Sequence, residues 1–167
     1  MDNVGINIDR AQNLLKTPKD YEGYISIKIK PKQGFCCCFH CWPYTWEAIN
    51  LSISQYGIIQ DEGDVLIGEG EDKFVLECHE SGPEIVLYLG IGIASLNLVA
   101  SIINLINVII KNRQNEKQGA QFVITKRIVR KSKIIEENVI EIDFPISTDN
   151  TKLLNEKLKN IINRKND

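Results

Sequence analysis

Tyr24 to Lys30 reads Tyr-Ile-Ser-Ile-Lys-Ile-Lys, with Ile25, Ile27 and Ile29 alternating against Ser26, Lys28 and Lys30. Period-two alternation puts one set of side chains on each face of a strand, so this segment predicts a half-buried β-strand. Pro31-Lys32-Gln33-Gly34 supplies turn residues, a further apolar stretch follows from Phe35 to Trp42, and Ile49, Leu51 and Ile53 alternate again. Asp61-Glu62-Gly63-Asp64 marks another turn, after which Val65-Leu66-Ile67 and Phe74-Val75-Leu76 flank Gly68 to Lys73 as a hairpin. Residues 20–80 therefore read as the β-rich part of the chain.

The pattern changes at Ser81-Gly82-Pro83-Glu84. A Ser three residues ahead of a Glu, with Pro in the first turn, satisfies orphan backbone N–H groups and predicts a helix start. Ile85 to Ile110 then holds 26 residues without a charge, closed by Lys111, Asn112 and Arg113, so 81–113 reads as one long apolar helix. At about 1.5 Å per residue, its 26 uncharged residues would extend roughly 39 Å. Phe122 to Arg130 and Ile134 to Phe144 predict a second hairpin within 119–146, the first strand basic and the second acidic, an arrangement that favours their pairing. Thr148 to Asn150 can cap a closing helix over 148–165, with Leu153, Leu154, Leu158, Ile161 and Ile162 on one face. The expectation is a single α+β domain over 1–167: an antiparallel sheet, a long apolar helix, a β-hairpin and an amphipathic C-terminal helix.

The uncharged stretch exceeds the roughly 20 residues that cross a bilayer, and the basic residues after it would leave the C-terminal part in the cytoplasm. Inside it, Asn97, Ser101 and Asn104 fall in a stripe about 60° wide at about 100° per residue. In a soluble domain such a stripe meets solvent or a partner. In a membrane it needs another helix, hence a homo-oligomer. The soluble helix is the favoured expectation and the single-pass membrane protein the alternative.

Composition narrows the classes. The 167 residues are 43% apolar and 25% charged with a net charge of -2, which fits a folded domain and disfavours nucleic-acid binding through bulk positive charge. Charge is unevenly spread: residues 1–110 hold 7 Lys+Arg against 14 Asp+Glu, and residues 111–167 hold 13 against 8. The first 16 residues lack the hydrophobic core of a secretory signal, and five crowded cysteines do not read as a disulfide framework, so a cytoplasmic protein with reduced thiols is expected.

Candidate chemistry is sparse. Cys38 and Cys41, with the two-residue gap of zinc knuckles, could join Cys78 and His79 in a tetrahedral zinc site, although strand geometry would turn neighbouring residues apart. Buried apolar use of the cysteines is the simpler reading. No catalytic constellation or phosphate-binding loop is found, and Gly68-Glu69-Gly70 reads as a tight turn. Trp42 and Trp46 are candidates for a recognition surface, as are the three α-helical polar residues Asn97, Ser101 and Asn104. Lys126 to Lys133 reads as a solvated basic strand neutralised by its acidic neighbour.

Over residues 81–162, the Gly-containing turn, long apolar helix, basic exit at Lys111 and Arg113, strands Phe122–Thr125 and Ile140–Phe144, and closing Leu153-Leu154-Asn155-Glu156-Lys157-Leu158 helix resemble the effector-associated constant component proteins of bacterial conflict systems. That resemblance implies a non-enzymatic accessory acting through a protein partner, an effector, and implies no catalytic residue. The function expected is therefore interaction or regulation within a bacterial defence or toxin-associated system, with a membrane protein or a zinc-stabilised binding module as alternatives.

Overall fold

The computed structural model describes residues 4–18, 23–31, 42–59, 64–79, 82–90, 94–113, 121–130, 133–143 and 148–163. The element order is α1 (Val4–Leu15), β1 (Tyr24–Pro31), α2 (Pro43–Tyr56), β2 (Gly57–Ile59), β3 (Val65–Glu69), β4 (Asp72–His79), β5 (Gly82–Tyr88), α3 (Leu96–Arg113), β6 (Gln121–Arg130), β7 (Lys133–Asp143) and α4 (Thr148–Asn163). The strands form one antiparallel sheet in the order β2-β3-β4-β5-β1-β6-β7. The protein is α+β.

One face of the sheet carries the main core. Ile25, Ile27 and Ile29 of β1, Phe74 and Leu76 of β4, and Ile85 and Leu87 of β5 pack with α2, α3 and α4. The opposite face holds a smaller cluster in which Ala11 and Leu15 of α1 cover Tyr24, Val75 and Val86. Both faces are thus covered, which explains why the polar alternates of β1 are not solvated: Ser26 and Lys28 are buried beside their apolar neighbours.

Three segments depart from the sequence reading. Residues 82–88 are a strand, so the expected helix over 81–113 is instead β5, a connection and the 18-residue α3. A strand buried on both faces is apolar without alternation, and periodicity cannot tell it from a buried helix. Pro83 and Glu84 do not open a helix; they stand in register with Cys78 and Glu77 of β4. The alternation of Ile49, Leu51 and Ile53 belongs to helix α2, where Trp46, Ile49 and Ile53, with Trp42 just ahead of the helix, are buried at helical spacing while Leu51 is 61% exposed. The N-terminal α1 was not expected from the sequence; Ile8, Ala11, Gln12 and Leu15 form its buried stripe. Among the described residues no helix is long and apolar enough to cross a membrane.

The two hairpins and the closing helix are as expected, except that Leu153, expected on the buried face of α4, is 45% exposed. In the second hairpin the register sets Lys126 opposite Glu137 and Arg127 opposite Glu136, the basic-to-acidic pairing foreseen. These cations are not solvated, however: Lys126 is buried, and the Arg127 side chain is only 18% exposed. In the first hairpin Gly68 has φ +95°, and a Cβ there would meet the Asp72 carbonyl oxygen at 2.0 Å, so only glycine fits.

Candidate functional site

The residues singled out from the sequence go to different places. Cys38 and Cys41 lie outside the described residues. Cys78 and His79 are adjacent on β4, in register with Pro83 and Gly82. Among the described residues no group of three or more His, Cys, Asp and Glu is placed to hold a metal ion. Trp42 and Trp46 are core residues, 0% and 7% exposed, where α2 lies on the sheet, so they do not offer the recognition surface expected of them. Burying two indoles there secures α2.

Asn97, Ser101 and Asn104 do form an exposed stripe along α3. Asn107, beside it, turns instead to α4, where its Nδ2 donates to Asn155 Oδ1 at 3.3 Å. Ser101 and Asn104 stand at the mouth of a cleft of about 550 Å³ between α2, α3 and the first hairpin. Its walls are Ile53 of α2, Ile67 of β3, Phe74 of β4, and Leu105 and Val108 of α3. Ser52 and Glu69 complete a polar rim. The Ser52 hydroxyl is engaged, donating to the Ala48 carbonyl at 2.9 Å.

The sequence dictates this cleft simply. On α3, residues one turn apart such as Ile102, Ile106 and Ile109 meet the sheet, which leaves Ser101, Asn104 and Leu105 towards α2 and the surface. Gly68 presents no side chain on β3 at that point. The volume suits a small organic group or one or two apolar side chains. Among the described residues that line it, Glu69 is the one titratable group.

A second cleft, of about 590 Å³, lies between the end of α1, the turn of the first hairpin, the end of β5 and the start of α3. Ser95 caps α3, its Oγ accepting the Leu98 N–H at 3.0 Å while donating to Asp72 Oδ1. Its charges are mixed, Lys16 and Lys73 against Glu71 and Asp72, and define no ligand sign.

Sequence reasoning missed the most costly feature, a row of buried charges on the α1-covered face. Glu77 on β4 pairs directly with Glu84 on β5, Glu84 with Lys28 on β1, and Lys28 with Thr125 on β6. Asp64, just before β3, extends the row and takes Arg10 of α1 at 3.1 Å. Glu84 is the hub: Ser26 Oγ donates to its Oε1, Arg127 reaches Oε1 at 3.2 Å, and Lys28 Nζ lies 3.8 Å from Oε2. Asp64, Glu77, Glu84, Lys28 and Thr125 are all at least nine-tenths buried. Neither cleft opens onto this row. The one signal in the sequence was that acids and a lysine occupied the same alternate of successive strands, which reads as a solvated face unless a helix is known to cover it.

The comparisons with known proteins decide nothing further. No protein-family model, curated protein or solved structure matches this chain.

Proposed function

We propose that this chain is a non-catalytic protein-interaction component whose cleft between α2 and α3 receives an apolar side chain of a protein partner. The observation that carries the reading is the cleft itself: five apolar walls, a rim of Ser52, Ser101, Asn104 and Glu69, and, among the described residues that line it, no pair of groups suited to acid–base or nucleophilic chemistry. Glu69 gives the rim a negative charge, and residues 1–110, which supply all of the described lining of the cleft, carry the acidic excess of the sequence. An apolar anchor flanked by Lys or Arg is the complementary partner segment. A role beside an effector of a bacterial conflict system rests on the resemblance of residues 81–162 alone.

A displayed peptide library selected on the purified chain tests the reading. Enriched peptides should share an apolar anchor next to a basic residue, and Ser101→Trp, which fills the mouth from an exposed position, should weaken them about tenfold or more. Absence of enrichment, or peptides that bind Ser101→Trp as tightly as the parent, would overturn it.

A further inference from the structure

Glu77 is the middle one of three acids on the α1-covered face of the sheet. It is directly opposite Glu84 in the β4–β5 ladder. The β3–β4 register, which sets Val65 against Leu76, brings Asp64 to its other side. Side chains directly opposite on neighbouring strands have Cβ atoms about 4.5–5.5 Å apart, so the Glu77 carboxyl has an acid within reach on each flank. All three are buried, with Asp64 2%, Glu77 0% and Glu84 5% exposed.

The described charged groups around them on this face are Arg10 of α1, Lys28 of β1 and Arg127 of β6, with Lys73 farther along β4 beyond Val75. Arg10 meets Asp64 at 3.1 Å, and Lys28 and Arg127 meet Glu84 at 3.8 and 3.2 Å, so these cations engage the outer two acids. Carboxylates side by side in a dry site repel one another, and a single proton turns that repulsion into a hydrogen bond, because a protonated carboxyl donates. The proton belongs on Glu77, which has an acid on both flanks and no exposure, whereas Asp64 and Glu84 each have a cation in contact.

We propose that Glu77 holds a proton in the folded chain and that this proton lets α1 close over the sheet, making α1 a pH-sensitive cover. α1 is held by the smaller cluster, Ala11 and Leu15 on Tyr24, Val75 and Val86, and by Arg10 on Asp64 beside Glu77. Lifting α1 admits water to the three acids, and Glu77 then gives its proton to solvent; closing takes one up. The main core lies on the other face and stays packed, so the opening is local. The cleft between α2 and α3 is also on that other face, and the proposal is independent of its partner.

An unfolded glutamate ionises near about pH 4.3, so above about pH 5 folding takes up a proton at Glu77. Stability from this group is therefore lost as pH rises, by tenfold in the equilibrium constant per pH unit, until Glu77 ionises within the fold. Amide hydrogen exchange of the full chain at pH 6 and pH 8, corrected for intrinsic rates, reads this at α1. Protection of Val4–Leu15 should fall by up to about a hundredfold in the parent and by less than about threefold in Glu77→Gln, which mimics the neutral acid, while α3 is unchanged. Glu77→Gln should also be at least as stable as the parent at pH 8. In the parent labelled with carbon-13 at its glutamate carboxyls, one resonance should keep the position of a protonated acid at pH 7, a measurement that needs no variant. Absence of that resonance, α1 protection that responds to pH equally in both proteins, or a Glu77→Gln chain less stable than the parent at both pH values, as loss of an ionised partner would make it, would overturn the proposal.

Discussion

Glu84→Leu is the sharpest test of how the sheet is held together. Glu84 is 5% exposed and is the shared partner of Ser26, Lys28 and Arg127, with the two cations at 3.8 Å and 3.2 Å. Replacing it takes the Glu84 carboxylate away from Lys28, itself 7% exposed. Breaking a buried pair on one side costs about 3–5 kcal/mol, because the remaining charge keeps its desolvation penalty and loses that partner's share of the compensation. Against a total stability of about 5–15 kcal/mol that is a large fraction. With a urea m-value of about 2 kcal/mol/M, the unfolding midpoint should fall by roughly 2 M. Lys28→Met should cost less, since Glu84 keeps Ser26 and Arg127. The double variant Lys28→Met/Glu84→Leu should recover most of the loss: it removes both buried charges, and Arg127 is left partly exposed and in register with Glu136. Urea titrations followed by circular dichroism read all three. A Glu84→Leu midpoint within about 0.5 M of the parent, or a double variant no more stable than Glu84→Leu, would refute the assignment of Glu84 as the hub.

Other substitutions probe single features. Trp42→Ala should destabilise by about 3–5 kcal/mol in chemical denaturation, as expected of an indole with no exposure, so any loss of binding in that variant should track its unfolded fraction. Gly68→Ala should lower the thermal midpoint much more than Gly70→Ala, because both need positive φ but only the first meets backbone, at 2.0 Å, whereas the second faces open space. Ser95→Ala should cost about 1 kcal/mol in thermal unfolding by removing the cap that accepts the Leu98 N–H. Asn104→Leu should leave stability within about 0.5 kcal/mol while increasing retention on a hydrophobic column, since its side chain lies at the exposed mouth of the cleft.

Elements with one apolar face, or with strong turn chemistry, were legible in the sequence: β1 by its isoleucine alternation, the β3–β4 hairpin by Gly68 to Lys73, and α4 by Leu154, Leu158, Ile161 and Ile162 on one side. The misread elements are those whose surroundings decide their pattern. β5 lies between β4 and β1 and is covered above and below, so Pro-Glu-Ile-Val-Leu-Tyr carries no period that separates strand from helix. α2 was obscured because Leu51 happens to fall between Ile49 and Ile53, and only its exposure shows that the alternation is accidental. At the cleft, Ser101 and Asn104 were identified from their helical stripe, but Ile53, Ile67 and Phe74 come from three other elements, and no local pattern brings them together. The charged row was illegible for the same reason: Lys28, Glu77 and Glu84 become neighbours only through strand order.

The position of β1 has a consequence during synthesis. It is made before the other described strands, yet it sits between β5 and β6, whose paired residues begin at Glu84 and Phe122. At about 5–20 residues per second, a ribosome takes roughly 5–20 s to go from the end of β1 to the start of β6. Over that interval Tyr-Ile-Ser-Ile-Lys-Ile-Lys keeps the edge that β6 will take open, and until Tyr88 is made the β5 edge as well, with three isoleucines in alternation, the composition of a segment prone to associate with other nascent chains. Lys28 and Lys30 interrupt it with positive charge, so the same lysine that is costly to bury in the finished sheet protects the strand while it waits for its neighbours.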